Sequence, residues 1–235
     1  MKPYVYLAIP TGRGVVEVET AQSLIEGALD LTNKGIRLKV KFVPGDSMIH
    51  RARSMFATDF LRSDCTHLFF VDDDVQWESG AMSRIVTHAV VHDLDIVAGV
   101  YPRRSDPLEW PVRWLPGKPI IQESTGLVEV AGVATGFMCI SRRCIAAMRD
   151  HYTETKYRQP HMPGEDCWLL FDSEIIDGEL WSEDMLFCRR WRKIGGKVWI
   201  DPALTFGHAG RKVYTGNLEQ WLEAQLAVEH NAGAA

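Results

Sequence analysis

The sequence predicts an α/β protein with a mainly parallel central sheet, helices on both faces and a small antiparallel extension. Three observations predict it. Short apolar runs alternate with helix-period segments from residue 3 to residue 100. The runs end in turn-forming or charged residues, as strands buried between helix layers do. The composition is 46% hydrophobic and 24% charged over 235 residues. A chain of that size and make-up buries a core without disulfides or a structural metal.

The elements follow in order. Residues 3–9 (PYVYLAI) form the first strand, which ends in the turn-rich loop Pro10-Thr11-Gly12-Arg13-Gly14. Thr20 is placed to cap a helix whose apolar stripe is Leu24, Ile25, Ala28, Leu29 and Leu31, with Gly35 as its stop. Residues 36–43 alternate apolar and basic, the pattern of a half-buried strand. After the turn at Pro44-Gly45, Asp46 can cap a helix carrying Ile49, Ala52, Met55, Phe56 and Phe60. The apolar strand His67–Val71 then runs into three aspartates. A helix over 79–92 and a buried strand over 95–100 complete the regular half.

The second half is less regular. Residues 102–130 carry prolines at 102, 107, 111, 116 and 119 and read as loops with short antiparallel strands. Residues 133–141 (VATGFMCIS) read as a central strand, followed by a helix over 142–150 and a loop-like stretch over 151–180. A helix over 181–194 has Ser182 as its cap, with Glu183 and Asp184 in the first turn. A strand over 197–200 leads through a loop to His208, and a last helix spans 218–229. The expected organisation is one catalytic domain over 1–217, with a C-terminal helix and frayed tail over 218–235.

Composition narrows the functional classes. No apolar run approaches the roughly 18 residues of a membrane-spanning helix, and the N-terminus shows no secretory h-region. The cysteines at 65, 139, 144, 167 and 188 are odd in number and include no CxxC pair. That points to a reducing, cytoplasmic setting and away from a zinc site or disulfide framework. A net charge of −5 disfavours a general nucleic-acid binder.

In open α/β sheets, ligands bind beyond the carboxyl ends of the strands. Three polar loops belong there: the one after Ile9, the aspartates after Val71, and Tyr101-Pro102-Arg103-Arg104. Asp72, Asp73 and Asp74 repel one another, and alternate residues at a strand end share a face. A hard divalent cation relieves such repulsion. Taken singly, each feature has a plainer explanation. The aspartates can form a solvated helix-capping turn, Glu183 and Asp184 favour a helix N-terminus, and His208 can be a solvated loop side chain. Arg51 and Arg53 can lie on the solvated face of their helix. Arg142-Arg143 and the run from Arg189 to Lys193 read as surface charge, or as a basic rim for a polyanionic acceptor. Trp110 and Trp114 are candidates for stacking on a sugar, and glycine and proline around His161 and Asp166 allow a lid.

The order of these features, an aspartate-terminated strand, Thr135-Gly136-Phe137-Met138, Glu183-Asp184 and then His208, resembles the GT-A-fold glycosyltransferases. The stretch from Pro44 to Val75 resembles small bacterial and phage members. The resemblance implies a metal-dependent transferase (hexosyltransferase type) moving a sugar from a nucleotide diphosphate, UDP-sugar first, to a hydroxyl on a glycan, lipid, protein or modified DNA base. It assigns Asp72-Asp73-Asp74 to the family's DxD motif. Asp74 and His208 would then ligate Mn²⁺, or Mg²⁺, and Asp72 would hold the metal or the donor ribose. The spacer is itself Asp, so either adjacent pair can be the ligand set. Glu183 and Asp184 fall where inverting members carry the catalytic carboxylate that takes the acceptor's proton, and where retaining members bind the donor sugar or the acceptor. Pro10, Thr11, Arg51, Arg53, Asp73, Arg103, Arg104 and Gly136 fall where the donor would lie. The alternatives are a phage-type DNA glycosyltransferase acting on hydroxymethylated bases and a nucleotidyltransferase-like or sugar-nucleotide-binding protein. The second is disfavoured by the short Gly12-Arg13-Gly14 loop.

Overall fold

The computed structural model describes residues 2–159, 166–210 and 212–232, with the side chains of 228–232 left aside. His161, expected in a lid, lies outside the described residues. The first half runs β1 (Tyr4–Thr11), α1 (Val18–Asn33), β2 (Arg37–Pro44), α2 (Ile49–Arg62), β3 (His67–Val71), β4 (Val75–Trp77), α3 (Ala81–Val91) and β5 (Ile96–Gly99). Short strands follow as β6 (Val112–Arg113), β7 (Ile120–Ile121), β8 (Val128–Val130) and β9 (Gly132–Val133). Then come β10 (Phe137–Ser141), α4 (Arg142–His151), β11 (Lys156–Arg158), β12 (Asp166–Trp168), β13 (Glu174–Ile176) and β14 (Glu179–Trp181). The chain closes with α5 (Glu183–Lys193), β15 (Val198–Asp201), β16 (Thr205–His208), β17 (Tyr214–Asn217) and α6 (Leu218–Ala232).

The central sheet has eight strands in the order β2-β1-β3-β10-β5-β15-β8-β7. Strands β2, β1, β3, β5, β15 and β7 run one way, and β10 and β8 run against them. The fold is therefore mixed α/β around a mostly parallel sheet, as expected. Successive residues of β1 supply opposite layers, because strand side chains alternate. Tyr6 and Ala8 join Phe56, Phe60, Ile145 and Phe187 under α2, α4 and α5. Val5, Leu7 and Ile9 join Leu24, Leu31, Ile85 and Val86 under α1 and α3.

Several local expectations are corrected. Strand β1 continues through Pro10 and Thr11, which pair with Val43 and Pro44, so neither belongs to the loop. Helix α1 starts at Val18, with Glu17 in the cap position, and Thr20 is buried inside it. Ile25 and Leu29 are exposed while Leu24 and Leu31 are buried, so the buried stripe of α1 is narrower than the periodicity suggested. The stretch read as loop holds strands of two antiparallel pairs, β11 with β12 and β13 with β14. Within residues 133–141, the strand begins only at Phe137 and runs antiparallel to both neighbours.

Of the arginines read as surface charge, Arg143 is exposed and pairs with Asp93 and Asp95, whereas Arg142, Arg190 and Arg192 are structural clamps. Arg142 donates to the carbonyls of Phe60, Leu61, Ser63 and Cys65, closing the C-terminus of α2. Arg190 donates to the Leu169 and Leu170 carbonyls, and Arg192 pairs with the buried Glu129. All five cysteines are buried. Among the described residues, no helix is long and apolar enough to cross a membrane.

Candidate active site

The site lies at the edge where β1, β3 and β5 end and β10 begins. The antiparallel run of β10 is what makes this possible. Phe137 pairs with Val71, so Gly136 reaches the same edge as Asp72, and the Asp72 amide donates to the Gly136 carbonyl at 3.0 Å.

Residues 72–74 form a turn between β3 and β4 and do not extend the strand. The alternation that would point Asp72 and Asp74 the same way therefore does not apply, and the two take different partners. Asp72 accepts from Arg53 at 2.7 Å and from the Tyr101 hydroxyl at 3.2 Å. Asp74 is ion-paired with Arg104 and faces His208, with Oδ1 3.4 Å from Nε2. Asp73 accepts the Glu17 amide through its carbonyl, and burial pushes its carboxyl up.

His208 ends strand β16 and is not in a loop. β16 pairs with β4, His208 opposite Val75, and the Ala209 amide donates to the Asp74 carbonyl at 2.8 Å. This ladder brings residues 74 and 208 together. The imidazole Nδ1 lies 2.9 Å from the Pro102 carbonyl. A carbonyl only accepts, so Nδ1 carries the proton and the lone pair of the neutral ring is on Nε2. Burial lowers the His208 pKa, which favours that neutral form.

Arg53 is buried, with 4% of its side chain exposed, and is not on a solvated helix face. Its guanidinium bridges Asp72 and Glu183, at 2.7 and 2.5 Å. Burial raises the Glu183 pKa, and Arg53 opposes that rise. Asp184 next door is held only locally: Oδ1 accepts from the Met185 amide and from Ser182 Oγ. Its Oδ2 has no hydrogen-bond partner among the described residues. Arg51, by contrast, is committed to Asp46, and Arg103 is exposed. Thr11 donates to the Val43 carbonyl, and its own carbonyl accepts the amides of Gly14 and Gly45.

A cleft of about 240 Å³ opens beside Asp74, lined by Arg13, Glu17, Asp73, Asp74, Arg104, Ala209 and Gly210. Two grooves of about 400 and 440 Å³ lie elsewhere, one beside Gln22 and Gln76 and the other beside Arg84 and His92. Neither groove contains Asp74, His208 or the Glu183-Asp184 pair.

Gly136 is required by close approach. A Cβ built there would overlap Asp72 Oδ2 and Tyr101 Oη. Gly136→Ala is expected to lower stability by about 2 kcal/mol, an overpacking cost that urea denaturation measures. Sequence reading placed two residues in the loops at this edge without giving either a role. Tyr101 is almost fully buried and lies within the site; its position at the last apolar residue before Pro102 was the available signal. Arg13 sits in a loop already noted as polar. Trp110, considered for sugar stacking, packs against the Gly216 position, whereas Trp114 is exposed.

The donor set admits a divalent ion. The lone pair of His208 Nε2 and the Asp74 carboxylate face each other, and donors 3.4 Å apart can share one ion with bonds of about 2.1 Å. No cluster of three or more His, Cys, Asp or Glu side chains suited to a metal occurs among the described residues. An ion here would therefore take Asp74 and His208 from the protein and fill its shell with water or ligand oxygens.

No family model matches the chain, and no curated protein matches it in sequence. Among solved structures it is similar to A197 from STIV, with a TM-score of 0.56 and 18% identity over 93% of this chain and 91% of that one. That likeness shows a shared fold. GalNAc-T7, solved with UDP, GalNAc and Mn²⁺, superposes with a TM-score of 0.46 and 10% identity, over 90% of this chain and 44% of that one.

Proposed function

We propose that the chain is a metal-dependent glycosyltransferase of the GT-A type, moving a sugar from a nucleotide diphosphate, UDP-sugar first, to an acceptor hydroxyl. The observation that carries this reading is the pairing of Asp74 Oδ1 with His208 Nε2 at 3.4 Å, beside a cleft that Asp74 lines together with Arg13 and Arg104.

A Mn²⁺ or Mg²⁺ ion held by Asp74 and His208 would offset charge on the departing diphosphate. Arg104 is placed to turn from Asp74 to a phosphate oxygen, and Arg13 lines the same cleft. Arg53 holds Asp72 and Glu183 in fixed positions. Glu183 is thereby committed to an ion pair, so Asp184 takes the role of general base. In an inverting reaction its free Oδ2 accepts the acceptor's proton. The acceptor oxygen bonds to the anomeric carbon as the bond from that carbon to the diphosphate breaks.

Calorimetry with UDP and GDP, with and without Mn²⁺, tests the reading. Binding is expected only with the metal. Asp74→Asn should weaken it by roughly 100-fold or more, since even an outer-shell partner costs a metal site up to about that much and Asp74 is a direct ligand in this reading. Its stability should barely change, because the partner Arg104 is well exposed. Absence of metal-dependent binding by any nucleoside diphosphate would sink the proposal. Pyrophosphate release from a nucleoside triphosphate would instead assign nucleotidyl transfer.

A further inference from the structure

We infer that Tyr101 is a positioning residue that, together with Pro102, organises both arms of the site. The inference rests on the reading above and goes beyond it to a buried residue to which that reading gives no part.

The Tyr101 hydroxyl has two partners. It donates to Asp72 Oδ2 at 3.2 Å and accepts the Gly136 amide at 3.2 Å. A hydroxyl has one proton and can accept through its lone pairs, so both bonds form together. The hydroxyl thus joins the aspartate turn to the start of β10. The next residue serves the other arm, because the Pro102 carbonyl accepts from His208 Nδ1. The Tyr101 ring also meets the imidazole edge-on, with centroids 5.1 Å apart and planes at 81°. One dipeptide just beyond β5 therefore sets the Asp72 carboxylate, the tautomer of His208 and the tilt of its ring. Outer partners of this kind orient ligating groups. Arg53 holds Asp72 through Oδ1 and Tyr101 through Oδ2, so each oxygen has its own anchor.

The test is Tyr101→Phe, which keeps the ring and removes only the hydroxyl. UDP binding with Mn²⁺ is measured by calorimetry for the wild type, Tyr101→Phe, Asp72→Asn and the double variant, with thermal melting of each to confirm folding. The expected result is roughly tenfold weaker binding in Tyr101→Phe, the scale of one hydrogen bond to a charged group. In the Asp72→Asn background the same change should add little, because coupled partners are not additive. A purely structural tyrosine would lower the melting temperature equally in both backgrounds and leave affinity alone. Binding within twofold of wild type, or an equal loss in both backgrounds, overturns the positioning role while the proposed function stands. If the wild type binds neither UDP nor GDP with Mn²⁺, the proposed function falls and this inference falls with it.

Discussion

Arg53→Met is expected to lower the free energy of unfolding by about 3 kcal/mol at neutral pH, the lower end of the cost of breaking a buried ion pair. The low end applies because Asp72 and Glu183 each keep some exposure. The substitution fills the volume but strands two carboxylates that share one guanidinium. Urea denaturation across a pH series checks it. Burial already raises the Glu183 pKa against the pull of Arg53, and removing that pull raises it further. The native variant would then hold its carboxyl proton at pH values where the unfolded chain has lost it. Stability of the variant should therefore fall as pH rises, and its deficit should shrink in acid as Glu183 takes up a proton. Arg53→Lys should recover only part of the loss, since a single ammonium does not span two carboxylates as a planar fork does. A deficit below about 1 kcal/mol, flat with pH, would mean that the bridge contributes little.

Asp184→Asn should cut sugar transfer by roughly 10²- to 10⁴-fold, the contribution of a general base. Nucleoside diphosphate affinity should stay close to wild type. Asparagine keeps an oxygen that can accept the Met185 amide as Asp184 Oδ1 does, so the start of α5 is undisturbed. What it loses is a basic Oδ2. Steady-state rates at saturating donor, alongside calorimetry, separate the two effects. Retention of more than about a tenth of the wild-type rate would place the base elsewhere, since even a modest base is worth more.

Much of the architecture was legible because its strands are short apolar runs punctuated by turn residues, and β3 ends in aspartates. The direction of β10 was not legible, since a buried strand carries the same residues whichever way it points. β16 was hidden for a different reason. Thr-Phe-Gly-His contains a glycine and is only four residues long, and its strand state comes from pairing with β4 and β17. The convergence of Asp74 with His208 was anticipated from the order of motifs, but the ladder that produces it was not. Arg53 shows the limit of periodicity: its position on α2 allowed solvent or interior, and only the two carboxylates arriving from distant segments decide for the interior. Arg142 is similar, because four backbone carbonyls converging on one guanidinium leave no trace in the side-chain pattern.

The place of β10 bears on how the chain acquires its shape. β3 and β5 both precede it in the sequence and flank it in the sheet. During synthesis, neither can gain its inner neighbour until Phe137–Ser141 has left the ribosome. The middle of the sheet must therefore close late, through pairings between distant segments, which are slow to form. Since Gly136 arrives with that strand, its hydrogen bonds to Asp72 and Tyr101 and the molecule's central seam are completed in the same event.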